Sequence, residues 1–214
     1  AQEFLQLFVE KLTSDLSTEV RGNAAYGVGV VIATSSGFDT TSAYGPVLHT
    51  LSKILATPDT DFKNEDGDDE TKEVINRTIA NACGCASRMA LKNLQAASIN
   101  DILPVMLARL PLQTAFEENK PIFDLIMKLY GDGNELILNS TPKIVDIFAE
   151  VFQKEADKDK LINESTLGRE ENVDRLNQFD SNETKLKVVE LLKFLEGKYP
   201  GSVSSKPVLK AALS

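Results

Sequence analysis

The 214-residue chain predicts an all-α protein, an α-α superhelix of antiparallel helix pairs stacked in register. Three observations lead there. Apolar residues recur at helical spacing along the chain, and no run alternates with the period of a strand. A proline follows each of three asparagines 23 residues later: Asn23 to Pro46, Asn81 to Pro104 and Asn119 to Pro142. The segments after the first two asparagines also match, NAAYGVGVV at 23–31 and NACGCASRM at 81–89, with small residues at Ala24, Ala25 and Gly27 and at Ala82, Cys83 and Cys85. One helix pair of about 40 residues cannot bury its apolar face alone, so a repeat of this period implies a solenoid.

Taken in order, helices are expected at 2–14, 18–35, 43–56, 71–93, 98–110, 116–130, 141–156, 159–178, 182–197 and 206–213. Their starts carry side chains that can accept from the first free backbone N–H groups: Ser17 or Thr18, Ser98 or Asn100, and Ser140. The prolines are expected to open the A helices PVLHTLSKIL, PVMLARLPL and PKIVDIFAEVF, since a missing N–H does little harm in the first turn. The B helices carry the asparagines, which could form a polar row or could each serve the backbone of a neighbouring repeat. The expected organisation is one continuous segment over 1–214, with approximate repeats 1–35, 42–93, 98–138 and 141–178 and terminal helices in 182–214. Asn163, only 21 residues after Pro142, breaks the spacing and leaves the last register open.

Pro46 and Asn81 are 35 residues apart, whereas Pro104 and Asn119 are 15 apart. The 20-residue difference is an insertion that holds most of the chain's excess negative charge. Residues 57–73 carry eight acids, Asp59, Asp61, Glu65, Asp66, Asp68, Asp69, Glu70 and Glu73, against two lysines, a net of -6 out of -9 for the chain. The acidic loop, 57–70, is expected to project from the turn between two helices without joining the core, because Phe62 is its only large apolar residue. Charge of this sign disfavours a phosphate backbone, so no nucleic acid is expected, and it favours basic partners.

Catalysis and cofactors find no support. Cys83 and Cys85 are two apart in a helical context, where they do not share a face, so they read as small packing residues rather than a metal or redox pair. His49 stands alone, and the acidic run fails the EF-hand pattern because Gly67 falls at the required position only in a register that starts at Phe62. No enzyme, no cofactor and no metal are therefore expected. No apolar run reaches the roughly 20 residues of a membrane span. Free cysteines favour a reducing compartment, and the Asn-x-Ser/Thr triplets at Asn76, Asn139, Asn163 and Asn182 read as fortuitous. A start inside a helix and without Met suggests a piece of a longer protein.

The segments EVRGNAAYGVGV, NRTIANACGCASRM, ILPVMLARLPLQTAFEENKPIFDLIMKL and INESTLG resemble the C-terminal HEAT repeats of the karyopherin-β (importin-β) family, within it the importin-4 subgroup of nuclear import receptors. LPLQTAFEENKP is the most specific of them. The resemblance implies a HEAT-repeat solenoid and a cargo-binding role in nuclear import. The implied cargo is lysine-rich protein such as ribosomal proteins and histone tails. Pore proteins and a small GTPase are implied for the whole receptor, with shuttling between cytoplasm and nucleus and no membrane. Candidate peptide contacts are Asn23, Asn81 and Asn119, with Glu19, Glu117 and Glu118 as acidic neighbours for lysine ammonium groups. The alternative function is a HEAT scaffold that assembles other proteins, of the phosphatase or chromosome-organising type.

Overall fold

A computed structural model describes residues 2–164 and 176–213, with side chains described outside 159–175. Its described residues contain ten α-helices: α1 Gln2–Ser14, α2 Thr18–Thr34, α3 Thr41–Ala56, α4 Lys72–Lys92, α5 Ile99–Leu107, α6 Asn119–Gly131, α7 Glu135–Asn139, α8 Thr141–Glu164, α9 Asn182–Lys198 and α10 Pro207–Leu213. Among those residues there is no strand, and the one β-type pairing is an isolated bridge between Lys63 and Asp69. The all-α expectation holds. Two compact units divide the chain, residues 1–125 and 126–214, with the boundary inside α6.

In the first unit the helices form two rows. Helices α1, α3 and α5 stack in succession, α2 packs along α4, and α1–α2 and α3–α4 close the pairs. The α2–α4 contact is built on small residues. A Cβ on Gly22 would lie 3.0 Å from the Cα of Thr78, and one on Gly29 would lie 2.9 Å from the Cα of Cys85. Backbones this close leave no room for larger side chains at those positions. The seven-residue steps from Gly22 to Gly29 and from Thr78 to Cys85 are two helical turns, so the rows run alongside each other in register. Ala80 to Ser87 is buried throughout, and Cys83 and Cys85 are inaccessible. Cross-helix bonds add to this packing: Tyr44 Oη donates to the Met89 carbonyl at 3.0 Å and Arg21 Nε to the Leu12 carbonyl at 3.1 Å.

Several expectations need correction. Pro46 and Pro104 do not open their helices; each is the sixth residue of its helix, α3 or α5. The carbonyls they leave unbonded belong to Ser42 and Asn100, both exposed, where water can serve them. Only Pro142, second in α8, stands in the first turn. Ser17 caps α2 as expected, accepting from Val20 N at 3.3 Å, whereas Ser98 is left-handed (φ 45°) and makes no side-chain cap. Helix α8 runs on to Glu164 because AEVFQKEADKDK contains no breaker; the rest of the helix expected at 159–178 falls largely outside the described residues.

The second unit holds α7, which the sequence reading missed. Asn134 starts it, its side chain accepting from Leu136 N at 3.0 Å and Ile137 N at 3.2 Å. Helix α10 packs on α8 and α9. The turn after α9 is organised by Glu196, whose carboxylate accepts from the backbone N–H groups of Gly201, Val203 and Ser204 and from the Ser204 hydroxyl at 2.7–3.0 Å. These donors pull the Glu196 carboxyl down to about 2.

Candidate functional site

The candidate peptide contacts lie on α2, on α4, on the 3-10 turn Phe116–Glu118 and on the first residue of α6. Asn23 and Glu19 are exposed on α2, one turn apart on the same side. Asn81 is buried in the middle of α4 and donates to the Gly22 carbonyl at 3.1 Å. It therefore serves the backbone of the preceding repeat, the plainer of the two roles open to it. Glu19, Asn23, Arg77 and Asn81 line a crevice between α2 and α4 too narrow to admit water. Asn119 is buried where α6 begins, rather than in mid-helix like Asn23 and Asn81. The three asparagines do not form one exposed row.

The two acids of FEENKP part company. Glu117 is exposed. Glu118 is wholly buried, and its carboxylate takes two bonds from the Arg88 guanidinium, Nη1 to Oε2 at 2.5 Å and Nη2 to Oε1 at 2.8 Å. The carboxylate lies over Gly84, where a Cβ would sit 1.4 Å from Oε2. Glycine at that place in NACGCAS is a seat for the ion pair. Arg88 also lies over the Tyr26 ring, 5.4 Å from its centroid, so one guanidinium links α2, α4 and the turn before α6. Burial pushes the Glu118 carboxyl up, against the opposing pull of Arg88. A lysine of a bound peptide reaches Glu118 only if Arg88 moves. The spacing of Asn119 could not reveal that burial.

The acidic loop is also not what its composition suggested. Phe62 is buried, Asp59–Asp61 forms a 3-10 turn, and Glu70 N donates to the Phe62 carbonyl at 3.0 Å. The tip is held by Asn64, whose side chain accepts from Asp66 N and Asp68 N at 3.0 Å, with Gly67 at φ 84°. Thr18 Oγ1 donates to the Lys63 carbonyl at 2.8 Å. At the other end Arg109, beyond α5, donates to the carbonyls of Leu55 (2.7 Å) and Thr57 and pairs with Asp59 at 2.8 Å. The insertion is pinned to the first unit, while Asp59, Asp61, Glu65, Asp66, Asp68 and Asp69 remain exposed and Glu70 is partly so.

Burial raises both cysteine thiols to about 12, so they stay protonated at neutral pH. Cys85 packs against Gly29 of α2. His49 is exposed on α3.

Two packed rows of helices, joined by small residues and cross-repeat hydrogen bonds, define an all-α helical-repeat protein. No protein-family model matches the chain. It is similar to a curated protein named probable importin subunit beta-4 from Schizosaccharomyces pombe, 30% identical over 151 residues, which is 71% of this chain and 13% of that protein. The chain belongs to the karyopherin-β (importin-β) family.

Proposed function

We propose that the chain is a cargo-binding segment of a nuclear import receptor, with no catalytic role, and that its cargo is lysine-rich protein such as ribosomal proteins and histone tails. The similarity to an importin subunit over 151 residues carries the receptor reading and favours it over a scaffold of the phosphatase or chromosome-organising type. The chain corresponds to 13% of that relative, so pore proteins, the small GTPase and shuttling between cytoplasm and nucleus are proposed for a longer receptor. The continuous repeat organisation over 1–214 belongs to the same proposal.

Charge supports the choice of cargo. Glu19, Asn23 and Glu117 are exposed acceptors on or beside the Asn-bearing helices, and the pinned loop adds a dense negative field to the same unit. Such a field speeds encounter with a cationic chain more than it fixes the final contacts. The test is titration of the full 214-residue chain with a lysine-rich histone-tail peptide. Binding should weaken steeply with salt, and Glu19→Lys, Asn23→Ala and Glu117→Lys should each weaken it while helicity is retained. Unchanged affinity in all three would move the peptide to another surface.

A further inference from the structure

The carboxylate with the most confined geometry in the candidate site is already occupied. Glu118 has no exposed surface, its two oxygens hold the Arg88 fork, and Gly84 gives the pair its space. The guanidinium also lies over the Tyr26 ring, 5.4 Å from its centroid. A carboxylate and an aromatic ring that contact the same cation make a setting that suits any organic cation, ammonium as well as guanidinium. Here the cation comes from the chain itself. Tyr26 is 45% exposed and the Arg88 side chain 17% exposed, so solvent reaches both.

We infer that Arg88 is a resident competitor: it fills the cation place between Glu118 and Tyr26, and a lysine of a basic peptide enters only by displacing it. The inference rests on the basic-peptide reading above. Its consequence is a built-in threshold. A peptide must replace a two-bonded planar fork with a single ammonium, which makes fewer fixed contacts. An isolated lysine is thereby rejected, and a peptide that gains from several lysines at once is admitted. Apparent affinity falls by the fraction of molecules in which Arg88 is away from the site.

Two measurements on the full 214-residue chain test this with the lysine-rich histone-tail peptide as probe. Arg88→Gln removes the competing charge and should tighten binding by about a hundredfold, which corresponds to a site open in roughly one molecule in a hundred. Adding Glu118→Gln to that variant should abolish the gain. In the unmodified chain, the Arg88 Nε–H resonance should shift as the peptide saturates, reporting release of the guanidinium. This second readout stands even if Arg88→Gln folds poorly. Equal or weaker binding by a folded Arg88→Gln, or an unmoved Nε–H resonance at saturation, overturns the competitor while leaving the basic-peptide reading in place. No binding by either form overturns both.

Discussion

Glu118 and the acidic loop hold negative charge in opposite ways. The loop concentrates seven acids within residues 57–70 and leaves nearly all of them in water. Glu118 is a single acid with no exposed surface, bonded twice to one arginine. By sequence density the loop dominates; by local energetics the order reverses, because a charge removed from water interacts far more strongly with its neighbours. The loop's structural contribution comes instead from Phe62 and from the ties made by Thr18 and Arg109.

The largest effect should therefore follow removal of the buried acid. Glu118→Ala leaves Arg88 without its partner over an emptied seat and should cost about 4 kcal/mol, in the range for breaking a buried pair. Glu65→Ala and Asp66→Ala, on exposed loop positions, should each change stability by less than about 0.5 kcal/mol. Urea unfolding of the three variants measures the contrast. Equal costs would mean that Glu118 is solvated in solution and that the opposition between the two regions is false.

Next comes the loop's own anchor. Phe62→Ala should cost about 3 kcal/mol, as for other buried phenylalanines. Deleting residues 58–69 should lower the thermal midpoint, because it removes Phe62, Asp59 and the Lys63 carbonyl together. The composition of the insertion argued for the opposite outcome, a loop dispensable to the core. A midpoint left within a degree by the deletion would restore that reading.

The difference between the two regions also separates what the sequence could show from what it could not. Of the small residues at repeated positions, Cys85 lies where the α2 and α4 backbones nearly touch, facing Gly29, whereas Gly27 packs against the Phe8 ring. Gly22 and Gly29, which make the close approaches to α4, are not among the repeated positions. The 23-residue spacing joins positions on α2 and α3, on α4 and α5, and on α6 and α8, but it misplaced the first turns of α3 and α5, since a proline whose freed carbonyl faces water is tolerated deeper in a helix. Glu118 was picked out by its place beside Asn119, yet nothing local indicated its burial. Its partner is 30 residues away on another helix, and Gly84, which makes room for it, looks in sequence like one more small packing residue. The order of the loop was hidden for the same reason. Its anchors, Thr18 and Arg109, are 45 and 50 or more residues from the groups they hold.

The smallest effect concerns pH, where the two regions should differ in sign. In the loop, the Lys63 ammonium bonds to Asp69 and holds its carboxyl below the usual 3.8. A folded-state value lower than the unfolded one means that the stability Asp69 adds is present above the unfolded value and lost as pH falls through the folded one. The difference between the unmodified chain and Asp69→Asn should accordingly close below about pH 3.8, and it should be small, because both partners are exposed and screened by salt. Glu118 behaves the other way. Burial raises its carboxyl above 4.5, so the folded state takes up its proton at a higher pH than the unfolded chain does. Over that window Glu118 makes acidification less destabilising, a contribution that Glu118→Gln removes. Carbon-13 NMR titration of the two carboxyl carbons would read both shifts directly. A Glu118 carboxyl found below 4.5 would show that Arg88 outweighs burial and would reverse the expected sign for that region alone.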